Sequence, residues 1–181
     1  WALGGLNGIS VFRWATTLAT FALLWRVARR LGSRGFAGLA MIGWCVLVYR
    51  HRIYVRPETF VSVLIAVTLW LLETRRTGPR DHSAWLVLVA WGWANVHISY
   101  WILFALTGAH LMEDLLVPPR RGPRLALVML AAAAVSFLNP FGWRSLAEPF
   151  VYAFEWRNEV MFRTIGELQP VAKTLPVVDV H

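Results

Sequence analysis

The sequence predicts an all-α protein, a polytopic transmembrane helix bundle with about six membrane segments. Three observations predict it. Hydrophobic residues make up 57% of the 181 residues, against roughly 45–50% in soluble domains, and mean hydropathy is +0.52. These residues lie in runs rather than scattered. The runs are separated by short breaks rich in arginine, proline or glycine, with Trp and Tyr near their ends, as an aromatic belt requires.

The six apolar segments are Phe12–Trp25, Phe36–Tyr49, Phe60–Leu72, Ala84–Ala94, Tyr100–Met112 and Leu125–Leu138. Each is shorter than the ~20 residues of a standard spanning helix. Flanking interfacial residues lengthen most of them, and Trp1, Trp14, Trp25, Tyr49, Tyr54, Trp70, Trp85, Tyr100 and Trp101 lie near their ends. Short helices with polar breaks suit a bundle around an internal cavity. The 84–94 and 100–112 pair also fits one bent helix or a re-entrant hairpin.

Helix punctuation supports the division. Pro57 suits a first helical turn and Glu58 the positive end of the helix dipole. Gly78–Pro79, Pro118–Pro119 and Gly122–Pro123 mark turns. Residues 1–138 read as the bundle, and 139–181 as a non-cytoplasmic juxtamembrane amphipathic segment and loop, with SLAEPFVYAFEWRNEVMF lying on the membrane surface. The chain starts at Trp1 in sequence already apolar and is expected to be a piece of a longer protein.

The net charge is +8. No basic helix face or nucleic-acid-binding module accompanies it, so nucleic acid is not an expected partner. Membrane lipids are. Of the 18 Lys and Arg, ten fall in the first, third and fifth connections, at positions 26, 29, 30, 34, 75, 76, 80, 120, 121 and 124. The positive-inside rule then predicts a multi-pass membrane protein with loops 26–35, 73–83 and 113–124 cytoplasmic. Cys45 is the one cysteine, so no disulfide forms within the chain; no metal-ligand spacing is present and no cofactor is expected. A Gly-rich phosphate loop, GxSxG and HExxH are absent, which argues against a soluble nucleotide-using enzyme.

Three stretches stand on the opposite, non-cytoplasmic face. RHRIYVRPETF places Arg50, Arg52 and Arg56 where arginines are otherwise scarce. They fit lipid headgroups or outer-loop acids, and equally an anion site, since the guanidinium fork binds phosphate bidentately. WANVHIS supplies Asn95 and His97, which either satisfy broken backbone at a helix end or contact a substrate hydroxyl or phosphate; His51 is a weaker candidate of the same kind. In FLNPFGWRSLAEP, Asn139–Pro140 and Gly142 read as a structural turn, with Arg144 and Glu148 as possible lining. Glu155, Glu159 and Glu167 are isolated carboxylates, weak as general bases. His82 and His110 fall toward the cytoplasmic side, with no catalytic role expected.

RPETF opening an apolar helix, then WANVH, FLNPFGW and IGELQP, in that order and spacing, resemble bacterial polytopic membrane proteins of the C-type (GT-C) glycosyltransferase superfamily. These are related to the mannosyltransferase and lipid A aminoarabinose transferase families, whose forms are RPxxF, WANxHG, NPYG and a terminal EWQP-like stretch. The resemblance covers roughly residues 50–170. It implies transfer of a sugar from a polyprenyl-phosphate donor on the non-cytoplasmic face, with inversion at the anomeric carbon. It also implies basic residues holding the lipid phosphate, by position Arg50, Arg52 and Arg56, with Asn95 and His97 lining the cavity. The acidic base would lie in a first outer loop upstream of this sequence, so no catalytic residue is assigned and the piece alone is expected to be inactive. Two departures stand out: no glycine follows His97, and IGELQP lacks the tryptophan. From a different class, a transporter or flippase for an anionic lipid or solute would use the same arginines without a base, and a non-catalytic scaffold would leave the polar residues dispersed.

Overall fold

A computed structural model describes residues 5–49, 57–117, 123–156 and 159. They form seven α-helices: α1 Gly5–Arg30, α2 Phe36–Tyr49, α3 Pro57–Thr77, α4 Trp85–Val96, α5 Trp101–Leu116, α6 Arg124–Ser136 and α7 Trp143–Phe154. One 3₁₀ turn, Ile98–Tyr100, joins α4 to α5. No strand occurs among the described residues, so the expected all-α class holds. No helix among them is long and apolar enough to cross a membrane. The reason is geometric. Helices α4 and α6 have 12 and 13 residues, about 18–20 Å at ~1.5 Å per residue, against a hydrocarbon core of ~30 Å. Helix α1 is long enough but carries Arg13, Arg26, Arg29 and Arg30, and α3 ends in charged residues.

The helix ends follow from local chemistry. Helix α1 closes with Gly32 at φ +87°, its N–H donating to the Arg29 carbonyl while the Ser33 N–H donates to that of Ala28. That is the paired Schellman pattern, and glycine takes the left-handed conformation without strain. Helix α4 stops because His97 is extended, at φ −156° and ψ 143°.

The core has two layers. One joins Val61 and Leu64 of α3, Ala90 and Trp93 of α4, Tyr100 of the 3₁₀ turn, Leu103 of α5 and Ala132 of α6. The other joins Leu71 and Leu72, Leu86, and Leu125 and Val128, with Leu106 and Leu111 packed against it. Helices α3 to α6 therefore run alternately between two ends of the bundle. The His97 turn and the 137–142 turn lie at the first end; residues 78–84 lie at the second. The 84–116 stretch is thus an antiparallel hairpin rather than one bent helix. Helix α1 packs along α3 in parallel, with Phe12 stacked 6.5 Å from Phe60 near the first end and Arg30 Nη1 donating to Thr77 Oγ1 at the second.

Hydroxyl-bearing side chains share the interior with the apolar core. Thr16, Thr20, Thr59, Thr68, Thr107, Ser83 and Ser136 are buried, while exposed large apolar side chains outnumber the buried ones. Thr16, Thr20, Thr68 and Ser136 each donate to a carbonyl one turn back in their own helix, so these four need no external partner, whereas Ser83 Oγ and Thr107 Oγ1 are buried without a partner among the described residues.

Candidate functional site

At the first end the hairpin turn and the 137–142 turn enclose a cleft of about 170 Å³, lined by Ala94, Asn95, Val96, His97, Ile98, Asn139, Pro140, Phe141 and Ser145. A single water needs only ~10–15 Å³, so the cleft has room for a polar group of a ligand. Asn95 and His97, which sequence reasoning singled out, come together here. Arg50, Arg52, Arg56 and His51 lie outside the described residues, as does Glu167. Arg144, Glu148, Glu155 and Glu159 are exposed, and none lines the cleft.

The sequence forces this geometry. His97 Nδ1 accepts the Ser99 backbone N–H at 3.1 Å and lies 2.8 Å from Ser99 Oγ. Ser99 Oγ in turn accepts from Trp93 Nε1 at 3.1 Å. An accepting Nδ1 assigns the proton of the neutral ring to Nε2, leaving Nε2–H as the ring's remaining donor. Asn95 Nδ2 donates to Trp91 O at 2.8 Å and to Leu138 O at 3.4 Å, and Trp91 Nε1 donates to Leu138 O at 3.0 Å. Asn95 therefore fastens α4 to the neighbouring turn. Its side-chain oxygen is the part of the amide left to a ligand.

Asn139 is structural, as its sequence context suggested. Its Nδ2 donates to Ser136 O and Gly142 O at 2.9 and 3.0 Å, and its Oδ1 accepts the Phe141 N–H at 2.9 Å. Gly142, at φ +58° and ψ −136°, then turns the chain into α7 in a region closed to most side chains. Sequence reasoning missed Ser145. Pro149 sits inside α7, one turn beyond it, and having no N–H it withholds the helical donor from the Ser145 carbonyl. The signal was present in the spacing of SLAEP.

The second end holds a charge network that sequence reasoning also missed. Arg75, its side chain 5% exposed, donates through Nη2 to Asp114, 6% exposed. Arg75 Nε and Arg124 Nε lie 3.6 and 3.4 Å from Asp81 Oδ2. Arg76 bonds Glu73 at 2.8 Å and Glu113 at 3.3 Å, and His110 lies 3.8 Å from Glu73 and 4.0 Å from Glu113. The network joins the end of α3, the 78–84 connection, the last turns of α5 and the first residue of α6. It contains no group of His, Cys, Asp and Glu able to hold a metal among the described residues, and it reads as a clamp.

Asp81 gives the clamp a pH dependence. Burial raises its carboxyl pKa, but hydrogen bonds from Ser83 and the Arg124 and Arg75 guanidiniums outweigh burial and hold it below the ordinary value. A lowered folded-state pKa means that the stabilisation is complete above the unfolded value of about 3.9 and is lost as pH falls through the folded value. Asp81→Asn is expected to flatten the acid limb of thermal stability below roughly pH 5, with little change in that limb's shape for the exposed Glu155→Gln. An unchanged acid limb in Asp81→Asn would remove Asp81 from the clamp.

Compared with known protein families, curated proteins and solved structures, the chain matches none.

Proposed function

We propose that this chain is part of a membrane-embedded glycosyltransferase of the GT-C type, and that its first-end cleft binds the head of a polyprenyl-phosphate-linked sugar. The observation that carries the reading is the convergence of Asn95 and His97 with the FLNPFGW turn in one cleft. Helix α3 begins at that same end, at Pro57. Membrane embedding is supported by the many large apolar side chains exposed on the outside and by the threonines and serines that pack between helices beside the apolar core, as in membrane bundles. Short helices and the broken backbone at His97 are tolerated at membrane depth where they are buried in protein or line a cavity.

In this reading the acceptor oxygen attacks the anomeric carbon, the bond from that carbon to the phosphate oxygen breaks, and the polyprenyl phosphate leaves. Arg50, Arg52 and Arg56 stabilise the charge that develops on the phosphate. His97 Nε2–H and the Asn95 carbonyl hold hydroxyls of the sugar. The residues of this chain bind and orient, and the base is supplied from elsewhere in the parent protein.

The test uses the full-length parent. Arg52→Ala and Arg56→Ala each remove charge-assisted hydrogen bonds worth about 1.5–3 kcal/mol, so donor binding is expected to weaken roughly 10–100-fold per site. His97→Asn retains an acceptor for the Ser99 N–H but removes the imidazole donor, and is expected to weaken the sugar-bearing donor more than bare polyprenyl phosphate. Intact donor binding and transfer in all three variants would sink the proposal. Binding and translocation without transfer in the unaltered parent would assign the site to a transporter.

A further inference from the structure

Helix α7 has three faces rather than two. At ~100° per residue, Trp143, Phe150 and Phe154 share one stripe, and all three are exposed, Trp143 at 66% and Phe154 at 78%. Arg144, Glu148 and Glu155 share a second exposed stripe about one-third of a turn away. The third face meets the bundle: Leu146 packs on the first core layer, its carbonyl accepts the Tyr100 hydroxyl at 2.6 Å, and Ser145 lines the cleft. A helix on a soluble protein needs only a buried and a wet face. A helix pressed against a bundle at the edge of a bilayer needs protein, lipid and water faces at once.

We propose that α7 lies in the plane of the membrane interface as a strap beside the cleft, with its Trp143–Phe150–Phe154 edge in lipid and its Arg144–Glu148–Glu155 edge in water. The inference rests on the membrane reading above and adds the orientation of one helix. Lipid is the occupant because the large apolar side chains of Phe137, Leu138 and Phe141, in the turn that leads into α7, are exposed at the same end of the bundle. An amphipathic helix of this kind buries its apolar edge about 5–10 Å into the boundary between headgroups and acyl chains. The strap also carries Ser145 into the cleft wall, so lipid contact and cleft shape share one rigid element.

The experiment is site-directed spin labelling of the full chain in vesicles of phosphatidylethanolamine and phosphatidylglycerol. Cys45 is exposed and is first replaced by serine. Single cysteines then replace Trp143, Phe150, Phe154, Arg144 and Glu148, with Leu130→Cys on the exposed side of α6 as a control. Labels at 143, 150 and 154 are expected to be relaxed more by oxygen than by a water-soluble nickel chelate, and labels at 144 and 148 the reverse. If Trp143→Cys fails to fold, Phe154→Cys in the last turn carries the comparison. Nickel access at 143, 150 and 154 with Leu130 still in lipid would overturn the strap alone. Shielding of those three from both reagents would assign the stripe to a second copy or a protein partner and also overturn it. Nickel access at Leu130 would overturn the membrane reading, and the strap with it.

Discussion

Replacing Asp114 with alanine is expected to cost about 3–5 kcal/mol of stability, the range for removing one partner of a buried ion pair. The cost comes from the survivor. Arg75 would keep a side chain only 5% exposed and lose its direct hydrogen-bond acceptor, with Asp81 at 3.6 Å as its nearest remaining counter-charge. Its Nε and Nη1 already lack hydrogen-bond partners among the described residues, so Asp81, beyond hydrogen-bond distance, compensates only in part. Arg75→Ala should be comparably severe, for the mirror-image reason. The double variant Arg75→Met/Asp114→Leu should recover a large part of the loss, because the pair then leaves no uncompensated charge and apolar volume fills the space. Thermal unfolding of the four proteins in detergent micelles, followed by circular dichroism, decides it. Additive losses in the double variant would show that the two residues act separately and that the clamp is not a pair.

This pair also shows where sequence reading stopped and why. The six apolar runs lie on six of the helices because proline, glycine and arginine interrupt them at the turns. The apolar runs and the helices end at different places, in both directions: α6 stops at Ser136, two residues before the 125–138 run does. The 60–72 run continues helically to Thr77, and the 100–112 run to Leu116. Hydrophobicity marks where a helix is apolar, not where it stops. ETRR and HLMED remain helical because each supplies the other's counter-charges across α3 and α5. Arg75 and Asp114 are 39 residues apart, and no local pattern announces such a contact. The cleft was more legible. Asn95 and His97 stood out as polar groups between apolar helices, and Asn139 was recognisable as a turn former. Ser99 was invisible as a site residue because its role depends on meeting both Trp93 and His97, whereas Ser145 had a local signal, the proline one turn later, that went unread.

Trp93→Ala is the second large effect, and it connects the core to the cleft. Trp93 is fully buried between α3, α5 and α6, so truncation to alanine is expected to cost about 3–5 kcal/mol through lost burial and the cavity left behind. Its indole also helps to orient His97, the hydrogen-bond donor of the proposed binding cleft. Trp93 Nε1–H occupies a lone pair of Ser99 Oγ, which leaves the serine proton free to point at His97 Nδ1 and keep that nitrogen an acceptor. Trp93→Phe separates the two roles. It retains most of the apolar volume, so its stability loss should be well below that of alanine, yet it lacks the N–H and frees Ser99 to turn. In the full-length parent, Trp93→Phe is therefore expected to weaken binding of the sugar-bearing donor by a factor comparable to His97→Asn. The combination Trp93→Phe/His97→Asn should be little worse than either alone, since both act on one hydrogen-bonded chain. Strict additivity of the two in donor binding would mean that Trp93 supports the cleft only by packing. Unchanged binding in Trp93→Phe, alongside a clear loss in His97→Asn, would show that the backbone N–H of Ser99 orients the imidazole without help from the indole.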